Sequence, residues 1–267
     1  MFTAPLLETC PEESRQNQKK IHKVLVTGAS GYLGRSLCGV MGENFDLVRM
    51  DISEVAGPGS FFMGSVTDRE VLSDACQGVD ALILAHMAPN RTEAYDWPDR
   101  CMDVNVKGLA LALEAAVRHG IRRVVVVSSV AVVWGHALRK TYLSRDLSPE
   151  PTDLYGMTKV LQEEIARFYH RSHGLEVALL RPAYILREDS LIDKYGENRL
   201  AVTWQCIDPR DIGRAAGLAL QIPDLQFEAF YLMAGPDAEK HVDLSASYVR
   251  LGWTPKHRFL ELPIENI

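Results

Sequence analysis

In the stretch "DLYGMTKVLQEEIARFYH", residues 153–170, Tyr155 and Lys159 stand four positions apart. On a helix that spacing puts both side chains on one face. A phenol titrates at about pH 10, too high for a base at neutrality, and a nearby ammonium favours the phenolate and lowers that value. The pair could therefore move a proton. Spacing alone is weak evidence, because a chain with nine tyrosines can produce such a pair by chance. The elements around it have to decide.

A second constellation lies upstream. "VTGASGYLG" sets Gly28, Gly31 and Gly34 directly after an apolar strand, "KVLVTG", and at the opening of a helix. Gly28 would permit the tight turn, Gly31 would let the backbone approach a pyrophosphate, and Gly34 would let the helix pack on the sheet. The loop amides, with Ser30, Tyr32 and Leu33 among them, would face phosphates at a helix N-terminus. Asp51 ends the second strand, "FDLVRMD". A carboxylate there can accept hydrogen bonds from the adenosine ribose hydroxyls and repels a 2′-phosphate, which points to NAD over NADP. Arg35 and Arg49 are close enough in sequence to oppose that preference.

These motifs sit in a regular alternation of strands and helices. After the glycine loop come a helix in "GYLGRSLCGVMG", the Asp51 strand, and a helix in "TDREVLSDACQG" starting near Thr67 or Asp68. Next are a strand in "VDALILAH", a loop through "PNRTEAYDWP", and one helix over "CMDVNVKGLALALEAAVRHG". "RRVVVVSS" suits a central strand covered on both faces. The Tyr155 helix and the strand "LEVALLRPA" follow. Such alternation implies right-handed crossovers and an α/β fold: a Rossmann-like doubly wound parallel sheet with a small C-terminal substrate-binding region. The expected organisation is a polar N-terminal extension over 1–22, an NAD-binding core over 23–183, and a substrate-binding region over 184–267 integrated with that core. The last region reads as irregular over "REDSLIDKYGENRLAVTW", helical over "DPRDIGRAAGLALQ" and strand over "FEAFYLMAG".

Composition narrows the partners. A net charge of -6 without a sustained basic block argues against nucleic acid or an anionic membrane surface. No apolar run reaches the roughly 18 residues a membrane span needs. The opening residues lack the pattern of a secretion signal. Five scattered cysteines, Cys10, Cys38, Cys76, Cys101 and Cys206, form no Cys-x-x-Cys pair. They read as reduced thiols of a cytoplasmic protein with no metal site.

In order, "TGASGYLG", "NVKGLALALEAAVRHGIRRVVVVSS", "YGMTK", "LLRPA" and "LGWTPK" make the chain resemble the extended, epimerase/dehydratase-type short-chain dehydrogenase/reductases. The resemblance runs from Lys23 to Lys256. It implies that Tyr155 and Lys159 are the catalytic pair, with the lysine also holding the nicotinamide ribose. It further implies a serine that orients the substrate oxygen and an asparagine, Asn105, that supports a proton-relay water. Register from the strand selects Ser129 as that serine, with Ser128 as the alternative. Ser65 and Val66 are similar to the adenine-contacting pair, although the family commonly has Asp at the first position. Ala85, His86 and Met87 are similar to the backbone segment passing the cofactor. Capping by Asn105 and core packing by His86 are the structural alternatives.

Within the family the chain looks most like the short uronate dehydrogenases. "NRLAVTW" puts Arg199 near a position that binds the sugar acid there, and a guanidinium can hold a carboxylate with two parallel hydrogen bonds. Val130 stands where those enzymes keep a polar residue beside the substrate. The short stretch after "LRPA" leaves little for a nucleotide moiety, so a small carbohydrate substrate is expected. The resemblance also implies a homodimer built on the helices beginning near Met102 and Tyr155. Three readings follow: an NAD-dependent sugar dehydrogenase, an epimerase or dehydratase that recycles bound NAD, and a non-catalytic dinucleotide sensor. A sensor typically loses the tyrosine or the lysine, and both remain here.

Overall fold

The computed structural model describes residues 20–88, 98–260 and 262–264. Most of the expected N-terminal extension, the loop over 89–97 and Cys10 lie outside the described residues. Seven parallel strands form the central sheet in the order β3-β2-β1-β4-β5-β6-β9. They are β1 (Lys23–Thr27), β2 (Asp46–Asp51), β3 (Ser60–Met63), β4 (Ala81–Leu84), β5 (Arg123–Val127), β6 (Glu176–Pro182) and β9 (Phe227–Leu232). Strands β7 (Tyr184–Ile185) and β8 (Cys206–Ile207) pair separately.

Strand residues alternate between two cores, as the pleat requires. Val24, Val26, Ile83, Val125, Ala178 and Leu180 face one side, against helices α1 (Tyr32–Met41) and α6 (Pro209–Ala219). Leu25, Leu82, Leu84, Val124, Val126 and Leu179 face the other, against α2 (Arg69–Ala75), α3 (Gly108–Arg118) and α5 (Leu154–His173). Both faces are thus covered, which explains the unbroken apolar runs. A third cluster gathers Val130, Val132, Leu143, Tyr231 and Val242 near the carboxyl end of β5, beside the short α4 (Trp134–Leu138). The short α7 (Ser245–Val249) packs against β9.

Local chemistry sets the helix ends. Asp68 caps α2 by accepting the Glu70 and Val71 amides at 3.1 and 3.2 Å. Asp153 caps α5 through the Gly156 amide at 2.6 Å, and Gly174 ends that helix with a φ of 68°. The expected single helix before β5 differs in detail. It starts with one turn, Pro98–Cys101, widens into π-helix over Met102–Lys107, and only then continues as α3. The sequence pattern also leaves out β3, whose four residues follow "VAGPG" at the sheet edge.

The two late sequence landmarks turn out to hold each other. Asp211 of α6 is fully buried, and its Oδ2 accepts the amides of Lys256 and His257 at 3.0 and 2.9 Å. Trp253, also fully buried, donates its indole N–H to the Asp211 carbonyl at 2.9 Å. "DPRDIG" and "LGWTPK" are therefore a packing device.

A buried ion pair ties β6 to α5. Arg181 Nε and Nη2 donate to the two oxygens of Glu163 at 2.9 and 2.7 Å, and both side chains are nearly inaccessible. Removing one partner of such a pair strands the other charge in a poorly solvated place. Arg181→Met is therefore expected to cost about 3–5 kcal/mol in urea unfolding, and Glu163→Met combined with it should recover much of that loss. Equal instability of the single and double variants would contradict the pairing argument.

Candidate active site

A cavity of about 570 Å³ opens at the carboxyl ends of the strands, where β1 and β4 lie side by side and the strand order reverses direction. In an open parallel sheet this is the crevice where ligands bind. The glycine loop forms one wall: Gly28, Ser30, Gly31, Tyr32, Leu33 and Gly34 all line it. Gly28 has a φ of +71°, and a Cβ there would lie 2.7 Å from the Ala85 carbonyl and the His86 backbone. A Cβ on Gly34 would lie 2.0 Å from the Gly28 carbonyl. Neither position admits a side chain.

Asp51 ends β2 at the cavity and accepts the amides of Ser30 at 2.9 Å and Ile52 at 2.7 Å. The carboxylate thus braces the glycine loop as well as facing the space beside it. Arg49 is buried, with its guanidinium on the Val55 carbonyl and near the Phe61 ring, and Arg35 lies outside the cavity lining. Ser65 and Val66 line the cavity, as do Ala85 and His86. His86 is buried, bonded through Nδ1 to the Thr27 hydroxyl at 2.8 Å. Burial, and then Lys159, push its pKa down to about 3, so the ring is neutral. A closed glycine cradle, a strand-end carboxylate and a crevice at the switch point fit a dinucleotide.

The far wall comes from β5 and α5. Ser128 and Ser129 follow β5 and both border the cavity, but they point differently. Ser128 donates to Glu163 Oε1 at 2.6 Å. Ser129, in extended backbone, lines the cavity with Tyr155, whose ionised form it favours, and accepts the Ala131 amide at 3.1 Å. Tyr155 and Lys159 occupy the first two turns of α5, with the Lys159 ammonium 5.7 Å from the centre of the tyrosine ring. Lys159 Nζ donates to the Val127 carbonyl at 2.8 Å.

The electrostatics differ from the simple phenol–ammonium picture. Burial pushes the Tyr155 phenol up to about 12, against the lowering effect of Ser129. Burial, followed by repulsion from Lys194, pushes Lys159 down to about 7. An ammonium this close to neutrality supplies little field to its neighbour, so the pocket without a ligand keeps the phenol protonated.

Three expected residues lie elsewhere. Asn105 is fully buried in the π-helical segment, outside the cavity lining. Its side chain accepts the Ala88 amide at 2.7 Å and donates to the Thr158 hydroxyl at 3.0 Å, while its carbonyl accepts from Gln162 at 2.6 Å. Those bonds tie α5 to the strand-end loop. Val130 is packed into the third apolar cluster because a short 3-10 turn, Val130–Val133, carries the chain away from the cavity. Arg199 also lies outside the lining: its Nε and Nη2 donate to Asp193 Oδ2 at 2.9 and 2.7 Å. Conversely, the cavity includes Lys194, Arg100, Pro182, Ala183 and Ile185. The "LLRPA" landmark pointed toward the proline and alanine, while Lys194 sits in an irregular segment with no periodic signal.

The lowered Lys159 pKa has a testable consequence. Above its folded value of about 7 and below its unfolded value of about 10, only the unfolded chain binds the proton, so stability rises with pH across that window. Wild type should gain stability relative to Lys159→Met between pH 7 and pH 10 in chemical unfolding of ligand-free protein. A pH-independent difference would contradict the burial of a chargeable amine.

The epimerase family model, described as the NAD dependent epimerase/dehydratase family, matches residues 24–186. The L-arabinose 1-dehydrogenase (NAD(P)(+)) of Haloferax volcanii is 27% identical over 250 residues, covering 88% of this chain and 96% of that protein. The NAD-dependent glucose-6-phosphate dehydrogenase of the same organism is 26% identical, over 91% of this chain and 96% of its own. Among solved structures, the glucuronic acid dehydrogenase from Chromohalobacter salexigens superposes with a TM-score of 0.75 at 21% identity, covering 90% of this chain and 86% of that one. With the matched segment spanning the cradle, the serine pair and the Tyr155 helix, the chain belongs to the NAD-dependent epimerase/dehydratase family.

Proposed function

We propose that the protein is an NAD-dependent dehydrogenase that oxidises a hydroxyl carbon of a small sugar or sugar acid. The observation that carries this reading is that Ser129, Tyr155 and Lys159, the last one turn along the helix from the tyrosine, line one cavity with the glycine loop and Asp51. The cofactor is NAD. When bound, it supplies the hydride acceptor and the positive charge of an oxidised nicotinamide. Gly28, Gly31 and Gly34 with the loop amides would hold its phosphates, Asp51 its adenosine ribose, and Lys159 its nicotinamide ribose.

Tyr155 takes the proton from the sugar hydroxyl, and Ser129 holds that oxygen through its own hydroxyl. The hydroxyl carbon gives up its hydrogen with both electrons, and the carbon–oxygen bond becomes a carbonyl; at an anomeric carbon the product is a lactone. A phenol held protonated in the ligand-free pocket needs added positive charge to become the base, and oxidised NAD carries that charge. Proton and hydride then leave neighbouring atoms held in place, so positioning contributes much of the rate. Ser128, turned onto Glu163, serves as the support of this arrangement. The relatives that act on L-arabinose and on glucose 6-phosphate with a nicotinamide cofactor support net oxidation of a small sugar. Exposed Met102, Met157 and Phe168 on the two helical segments support a homodimer.

Purified protein with NAD and a panel of aldoses, uronic acids and sugar phosphates is expected to accumulate NADH for at least one of them. Tyr155→Phe should lower kcat by about 100-fold or more, as loss of a general base does. Conversion of a nucleotide sugar without any NADH release would make the protein an epimerase or dehydratase instead. Asp51→Asn should raise the KM for NAD by about 10-fold, the value of a hydrogen bond to a charged group, and narrow the preference over NADP in initial-rate assays. An unchanged NAD to NADP ratio would remove Asp51 from cofactor choice.

A further inference from the structure

The segment between β7 and β8 brings to the cavity a cation that no motif singles out. Lys194 lines the wall next to Tyr155, with its ammonium 5.6 Å from the Tyr155 ring centre and 5.0 Å from that of Tyr195. Its stem leaves a fixed piece of backbone. Asp193, fully buried, accepts the amides of Tyr195 at 2.8 Å and Glu197 at 3.0 Å, as well as the Arg199 fork and the Tyr184 hydroxyl. Tyr32, from the glycine loop, donates to the neighbouring Ile192 carbonyl at 2.6 Å.

Among the described residues no carboxylate comes within 4.0 Å of the Lys194 ammonium. The two carboxylates whose fields reach it are already engaged. Asp193 is held by Arg199 and Tyr184, and Asp153 caps α5. Among the described residues, the other charged groups at the cavity offer it no counter-charge: Arg100 and Lys159 are cations, and Asp51 braces the glycine loop. The Tyr155 and Tyr195 rings give only the weaker attraction of aromatic faces. A half-buried ammonium with no carboxylate of the described residues within 4.0 Å is costly to keep charged, and burial accordingly shifts Lys194 toward its neutral form. Lys194 in turn disfavours the charge on Lys159. An anion beside Lys194 would relieve both. Arg199, the other cation of this segment, is committed to Asp193.

We propose that Lys194 is the substrate's anion-recognising residue, holding the carboxylate or phosphate of an anionic sugar while Tyr155 and Ser129 engage the reacting hydroxyl. This rests on the dehydrogenase reading above and narrows its substrate to a charged sugar. A lysine acts here as a point charge with three donors, so it accepts either anion without the planar match a guanidinium imposes.

The test pairs binding with turnover. Thermal shifts of NAD-saturated protein are measured with glucuronate, glucose 6-phosphate and glucose, and initial rates are measured with the same three. Wild type should favour one anionic sugar over glucose, and the arm that binds identifies carboxylate or phosphate. In Lys194→Met and Lys194→Gln the anionic-over-neutral ratio of kcat/KM should fall about 10- to 100-fold, with Lys194→Arg restoring part of it. A ratio unchanged in these variants overturns the inference. So does a raised KM for NAD with an unchanged one for the sugar, because that would assign Lys194 to the cofactor. Anionic-sugar binding that depends on Lys194 without NADH formation would refute the dehydrogenase reading alone. NADH formation indifferent to Lys194 would refute this inference alone.

Discussion

Glu163 accepts the Arg181 fork with both oxygens and takes the Ser128 hydroxyl on Oε1, and the same guanidinium reaches the Tyr231 hydroxyl at 3.3 Å. Four side chains from β5's end, α5, β6 and β9 are thereby locked at the carboxyl edge of the sheet, just beneath the cavity. Burying an ion pair brings little net stability unless its geometry is good and its remaining bonds are met, and both hold here. What the pair contributes above all is direction. With Ser128 held inward and the next residue extended, with φ -161° and ψ 155°, the pleat turns Ser129 outward to Tyr155. The Lys159 bond to the Val127 carbonyl fixes the other contact between α5 and β5. The catalytic geometry is thus a consequence of the support below it.

The site itself is left electrostatically unfinished. Burial opposes charge on both lysines and on the tyrosine, so the ligand-free protein holds Tyr155 as a phenol and Lys159 poised near neutrality. Groups shifted this far by desolvation and by one another, gathered in one crevice, are what a pocket built to receive charged ligands requires. Asp193 shows the opposite balance. Burial raises its carboxyl, but hydrogen bonds from Tyr184, Arg199 and two backbone amides outweigh burial and hold it down at about 2. It is a structural anion with every acceptor site used, which is why the cation beside it in sequence remains available to a ligand.

Features encoded locally were readable in the chain. The glycine frame needs only a strand before it and a helix after it. The Tyr155–Lys159 spacing needs only a helix, and alternation of apolar runs needs only a pleat between two layers. Features decided by distant partners were not. Arg199 looks like a carboxylate-binding fork, and it is one, but its carboxylate is Asp193, six residues away in a loop without periodicity. Asn105 reads as the support of a proton-relay water, and the π-helical turn buries it among partners from two other segments, the strand-end loop at Ala88 and α5. The edge strand β3 is too short, and too close to glycine and proline, to carry a pattern. "LGWTPK" reads as a landmark without a role, and the role comes from a distant partner: Trp253 and the Lys256 amide bond Asp211 of α6, and neither Asp211 nor Trp253 borders the cavity.

The cofactor cradle and the substrate wall are also mechanically one unit. Tyr32 follows the loop that would meet the phosphates, and its hydroxyl grips the Ile192 carbonyl next to Asp193. Asp193 fixes the backbone from which Lys194 projects, and Arg199 closes the same loop through its amide on the Leu191 carbonyl at 2.8 Å. The glycine loop meets the segment that carries Lys194 through the Tyr32–Ile192 hydrogen bond, and Tyr32, Leu33 and Leu191 pack on the same apolar core. Gly28 and Gly34 hold the cradle's backbone close to its neighbours, with no room for a side chain, while Tyr32 carries the contact outward to the segment before Lys194.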